Sequence, residues 1–226
     1  MPVLQVTTAH YPESDGKPMG ETDLHIRAII RHREILRRYF AGQQVYVSGN
    51  LLVYYEQGDP RKFVVPDTFV VKGTSPGDRR TFKTWVERKV PDVVIETTSR
   101  KTRKKDVVEK PVLYARLGVK EYFLFDPDFE YLDPPLQGHR LVEAEYERIL
   151  PDENGALVSK ELELRLRVEA DCLQFHRLDT GERLLTEVEG RDVEAEARAA
   201  AEARAAVAEA EVARLREELA RRAAQS

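Results

Sequence analysis

The spacing of apolar residues changes several times along the chain, and each change marks an element boundary. Over residues 21–40 the apolar positions Leu24, Ile26, Ala28, Ile29, Ile30, Ile35, Leu36 and Phe40 recur at helical spacing. With Thr22 as a cap and Gly42 as a stop they predict an amphipathic helix. Residues 44–55 (QVYVSGNLLVYY) predict either two short strands with a turn at Gly49–Asn50 or one bulged strand. Residues 63–72 (FVVPDTFVVK) hold an apolar run broken by Pro66. Proline has no N–H for a ladder, so the strand begins after it and Asp67 stands at its start. A basic connection, residues 79–90, carries the only tryptophan, Trp85.

Residues 91–127 form the stretch around which the rest is arranged. An apolar run at 93–95 delivers Glu96 at its end, and a basic polar turn spans 97–105. A helical pattern with Lys110 and Tyr114 follows, stopped by Gly118, and a second apolar run at 122–125 ends in Asp126 and Pro127. Strand, helix and strand in one short stretch predict a crossover unit in a sheet. Beyond it, short strands are predicted at 139–144, 146–150 and 162–168, with a last hairpin from 172–177 and 181–185, extending the sheet or covering an edge. From residue 187 onward alanine, glutamate and arginine dominate, which predicts a long helix. Val212, Leu215 and Leu219 have coiled-coil spacing but the same register upstream holds mainly alanine, so a solvated single helix and a dimerising coiled coil are both open. The organisation expected is an arm at 1–20, a globular α/β domain at 21–186 and a helix at 187–226.

Composition narrows the classes. A hydrophobic content of 42% in 226 residues supports a core, and a net charge of -4 gives no whole-chain argument for a polyanion or a membrane partner. Cys172 is the only cysteine, which excludes an intrachain disulfide and a cysteine-based zinc site. The N-terminus lacks a basic start followed by a long apolar run, and no 18 apolar residues stand together. A cytoplasmic protein without signal peptide or spanning helix is therefore expected.

Asp67 and Glu96, 29 residues apart, each lie at the end of an apolar strand. If the strands are neighbours, both carboxylates meet at one end of the sheet, where they cannot both stay ionised in a dry cleft without a cation. Oxygen donors alone favour a hard ion such as magnesium over zinc. Lys110, on the following helix, could reach the same cleft, and a divalent ion with a lysine suits phosphodiester hydrolysis. Each residue also has a plain structural reading. Asp67 can be a turn acid, Glu96 the partner of a nearby arginine or lysine, and Lys110 a solvated helix lysine. Asp106 and Glu109, in a D-x-x-E pattern, read as a helix cap rather than a ligand, and Asp126 as a turn former. Residues 72–110 carry 12 Lys and Arg against 6 Asp and Glu, so Arg100, Lys101, Arg103, Lys104 and Lys105 are candidates for contacting a nucleic acid or simply a solvated turn.

VVPD at 64–67, PDVVIETTS at 91–99, D-x-x-x-K at 106–110, Tyr114 and LGVKEYFLFDP at 117–127 resemble the Uma-type restriction endonucleases of the PD-(D/E)XK nuclease superfamily. The resemblance covers roughly residues 20–185. It implies a restriction-endonuclease-like mixed β-sheet flanked by helices, with Asp67 and Glu96 as magnesium ligands, manganese as a substitute, and DNA as substrate. The superfamily lysine usually stands two residues after the second acid, where this chain has Thr98, so the resemblance moves that role to Lys110. It also places the superfamily's helix acid at Glu21, with His25 on the same face. Pro111 departs from a regular helix: it obliges the helix to begin near Val107 or Val108 or to kink there. The resulting expectation is a magnesium-dependent endonuclease cutting DNA as a homodimer. Its rivals are an inactive nucleic-acid-binding or interaction module on a nuclease fold and a structural homo-oligomer built through the last helix.

Overall fold

A computed structural model describes residues 9–14 and 22–223. The chain runs through α1 (Asp23–Tyr39), β1 (Val45–Ser48), β2 (Val53–Tyr54), β3 (Phe63–Val64), β4 (Thr68–Lys72), β5 (Phe82–Lys83), α2 (Thr84–Glu87) and β6 (Val93–Thr97). A π-helical turn at Lys105–Glu109 leads into α3 (Lys110–Leu117), then β7 (Glu121–Phe125), β8 (Leu136–Val142), β9 (Glu145–Arg148), β10 (Leu157–Ser159), β11 (Leu164–Glu169), β12 (Cys172–Arg177) and α4 (Glu187–Ala223). Contacts divide the chain into two compact units, Met1–Leu184 and Leu185–Ser226.

The main sheet has the order β1-β4-β6-β7-β8-β9. Only β6 and β7 run parallel, as the helical crossover between them requires, and the other pairs are antiparallel. Both faces of the central strands are covered, which explains why β6 and β7 read as unbroken apolar runs. Alternate residues divide between two cores. Val93, Ile95, Phe123 and Phe125 pack with Ile35, Leu36 and Phe40 of α1 and with Leu164, Leu166, Leu173 and Phe175 of the β10-β11-β12 sheet. Val94, Tyr122 and Leu124 pack with Tyr114 of α3 and with Val53, Val64 and Phe82 of a small β3-β2-β5 sheet.

The α/β architecture, with its mixed sheet, flanking helices and long last helix, is the one the sequence led us to expect. Details differ for local reasons. Residues 44–55 do form two strands, but β1 and β2 belong to separate sheets rather than one hairpin. The connection at 79–90 contains β5 and α2. The last hairpin is β11–β12, and residues 181–185 contribute a single bridge, His176 with Arg183. At Asp126 the turn former is as expected: the buried carboxylate accepts N–H bonds from Asp128, Tyr131 and Leu132. The helix after β6 begins at Arg103, ahead of the start that Pro111 suggested, and the irregularity is a π turn. In that turn the Lys110 N–H donates to the carbonyl of Lys105, five residues back. The next donor in the same ladder would be Pro111, which has none. The stranded Asp106 carbonyl instead accepts the Tyr122 hydroxyl at 2.7 Å.

Candidate active site

The register of β4 on β6 pairs Thr68 with Ile95, which sets Asp67 beside Glu96 at one end of the sheet. Backbone groups then tie the two acids together: the Asp67 N–H donates to Glu96 Oε2 at 3.2 Å and the Thr97 N–H to Asp67 Oδ2 at 2.8 Å. The approach of the segment before β4 depends on Gly49. A Cβ there would overlap the Asp67 carbonyl oxygen, and the neighbouring Asn50 N–H holds the Pro66 carbonyl at 2.9 Å.

From the other side α3 delivers its polar residues. Lys110 Nζ lies 2.9 Å from Glu96 Oε2 and 2.8 Å from Asp106 Oδ1, and the Tyr114 hydroxyl donates to Glu96 Oε1 at 2.7 Å. His25, in the first turn of α1, brings Nε2 to 3.5 Å from Asp67 Oδ2. Thr22 caps that turn, accepting from the His25 N–H. Glu96 and Asp106 are fully buried, whereas the Asp67 carboxylate keeps 16% of its surface. Asp67 is therefore the acid through which this group meets solvent.

Asp106 corrects the sequence reading. It is no cap: the Ser99 N–H bonds Thr102 Oγ1 and the Arg103 N–H bonds the Ser99 carbonyl, so the helix is already launched before it. Instead Asp106 is a third buried carboxyl in contact with Lys110. The sequence carries both cues, D-x-x-E for a cap and the i, i+4 spacing to Lys110 for a pair, and the burial of Asp106 decides between them.

Thr98, at the usual lysine position, is buried with no hydrogen-bond partner for its hydroxyl and does not join the acids. Arg100, Lys101, Arg103, Lys104 and Lys105 are exposed just ahead of Asp106. Glu21 lies outside the described residues.

The charges are unbalanced. At the opposite end of β7 the buried Glu121 is satisfied by Arg140 at 2.8 Å, the Lys160 N–H at 2.9 Å and the Ser159 hydroxyl. Here one ammonium serves two fully buried carboxyls, with Asp67 alongside. Burial, and only then the neighbouring acids, pushes the Glu96 carboxyl up to about 8 against the pull of Lys110. Burial alone would raise Asp67 as well, but the His25 hydrogen bond, Lys110 and the Thr97 N–H hold it below its ordinary value. Lys110 is raised despite burial, because Glu96, Asp106 and Asp67 surround it. The surroundings thus favour a charged ammonium and an ionised Asp67, while burial disfavours the charged form of Glu96.

Among the described residues no three His, Cys, Asp or Glu side chains form a ready ion cage. The oxygen donors present still fit magnesium, which keeps several waters and binds through one or two carboxylates completed by substrate phosphate. A partly exposed carboxylate beside a buried one whose negative charge burial disfavours is such a pair. Among the described residues no helix is long and apolar enough to cross a membrane.

Comparison with known proteins agrees with the sequence resemblance. No protein of curated function matches the chain. Among solved structures, a crystal structure of "a putative nuclease belonging to DUF820" from Anabaena variabilis ATCC 29413 aligns with 18% identity over 65% of this chain and 76% of that one, at a TM-score of 0.48. The Uma2 family model, described as "Putative restriction endonuclease", matches residues 13–198. With that match spanning most of its length, the chain belongs to the Uma2 family of restriction-endonuclease-like proteins.

Proposed function

We propose that the protein is a magnesium-dependent endonuclease that hydrolyses DNA phosphodiester bonds, with Asp67 and Glu96 as the metal-holding pair and Lys110 as the cationic partner. Manganese is the expected substitute. The observation that carries this reading is the convergence of the three residues at one sheet end, with Lys110 Nζ 2.9 Å from Glu96 Oε2, the Asp67 backbone N–H 3.2 Å from the same oxygen, and the Asp67 carboxylate held by the N–H of Thr97, the residue after Glu96, at 2.8 Å. The bound ion would supply an activated water and neutralise phosphate charge. The residues do the rest. Tyr114 and the Thr97 N–H fix the directions of the two carboxylates. Lys110 has three N–H donors. Two are taken by Glu96 and Asp106, and the third is left for a phosphoryl oxygen, where it offsets the charge that grows as the bond breaks. The exposed basic residues 100–105 hold the backbone of the substrate without reading its bases.

Magnesium-dependent nicking of supercoiled plasmid tests the proposal. Asp67→Ala and Glu96→Ala should each abolish nicking while the folded chain persists, and undiminished cleavage by both would reject the assignment. A catalytically inactive nucleic-acid-binding module is the competing reading, favoured by the lack of a third ligand among the described residues. It predicts that the same plasmid is bound, with the same salt dependence, but never cut.

A further inference from the structure

We propose that α4 pairs with the α4 of a second copy of this chain as a parallel, in-register, two-stranded coiled coil over residues 201–219. The proposal gives a contact to the homodimer that cutting two strands calls for, and to that extent rests on the nuclease reading. Taking Val212 as position a of a heptad places Ala205 and Leu219 at a as well, and Ala201, Ala208 and Leu215 at d. The whole stripe is apolar. Val212, Leu215 and Leu219 are 45%, 46% and 66% exposed in the single chain. A β-branched residue at a next to leucine at d favours two strands over three or four. The alanines let the two backbones approach closely along the upstream half.

The charges fit the parallel direction. In a parallel pair each g residue faces the e residue five positions further on in the other helix. Arg204 at g meets Glu209 at e, and Glu211 at g meets Arg216 at e, so both steps are opposite in sign. Arg204, Glu209 and Arg216 form no ion pair among the described residues, whereas Arg198, at the a position just before the apolar stripe begins, pairs with Glu202 of its own helix. Glu211 is shared, since Arg214 of its own helix stands at 2.8 Å. An antiparallel pair would set g against g and e against e, Arg204 facing Glu211 and Glu209 facing Arg216, so the exchange of Arg204 and Glu209, which restores only the parallel pair, separates the two directions.

Sedimentation equilibrium of the full chain should give a mass twice the 25.9 kDa of one chain. Leu215→Glu combined with Leu219→Glu should return it to a single chain with unchanged helical circular dichroism, since both side chains are exposed. Arg204→Glu should weaken the dimer, and adding Glu209→Arg should restore it. In a Cys172→Ser background, Ala201→Cys and Ala208→Cys should each give a disulfide-linked dimer on mild oxidation. An antiparallel pair permits at most one of these crosslinks. A chain that is single at every concentration, a dimer indifferent to the two leucines, or crosslinking at only one position would overturn the proposal. Asp67→Ala, measured alongside, should be a dimer that does not cut, so failure of the pairing and failure of the nuclease reading are read separately.

Discussion

Glu96 concentrates the chemistry of the site in one side chain. Its carboxyl, about 4.5 when exposed, is pushed up to about 8 by burial. Between those values the folded chain keeps a proton that the unfolded chain has released. The contribution of this group to stability is therefore complete below about 4.5 and is lost as the pH rises through about 8. In metal-free buffer the melting temperature of the native chain should fall relative to that of Glu96→Gln across this window, and magnesium should restore it at the alkaline end. A parallel pH dependence in both proteins would show that Glu96 is not the group that titrates. Cleavage at limiting magnesium should rise with pH over the same window, because proton and cation compete for one carboxylate. Asp106 acts through Lys110. Asp106→Asn removes a charge that helps hold the ammonium, and loss of such a supporting partner typically lowers activity by about 10–100-fold. Turnover should fall by that order while the affinity for DNA is unchanged; an unaltered turnover would leave Asp106 a structural acid only.

Two elements give these residues their positions. The π turn at Lys105–Glu109 is the chain's accommodation of Pro111, and it swings Asp106 and Lys110 inward while Val107 and Val108 face solvent. Its stranded carbonyl is fixed by Tyr122 of β7, so the crossover helix is tied to the sheet beneath the site. The other device is the close passage of the residue after β1 against the segment before β4. Gly49→Ala has no room without moving the Asp67 backbone, and overpacking of this kind typically destabilises by about 1–3 kcal/mol. We expect the substitution to reduce cleavage as severely as it would reduce metal affinity, although residue 49 carries no functional group. Retained activity with a lowered melting temperature would separate the fold of this corner from its chemistry. The places of Asp67 and Glu96 were legible because each borders an apolar run, Asp67 at its start after Pro66 and Glu96 at its end, and an acid at the border of such a run is a one-dimensional signal. Asp106 was not, because the D-x-x-E pattern suggests a cap, whereas its burial is decided by a helix that starts earlier, at Arg103. Gly49 reads in sequence as a turn residue, while its requirement is space for another strand's backbone.

At the scale of the molecule, the crossover unit and the antiparallel extension of the sheet could be foreseen, since β6, β7, β8 and β11 have clear apolar patterns. Two of the shortest strands could not: β5 and β10 have two and three residues, too few to show a period. The same holds for the division of the apolar residues between two cores, which needs the strand order. The site proposed between the end of β6 and the start of β4 should hold one divalent cation. Manganese titration of the full chain above pH 8, followed by electron paramagnetic resonance, measures it most directly. The native protein should bind one ion per chain, with affinity reduced at least about tenfold in Glu96→Gln. Absence of binding by the native protein, or equal affinity in the two, would contradict it.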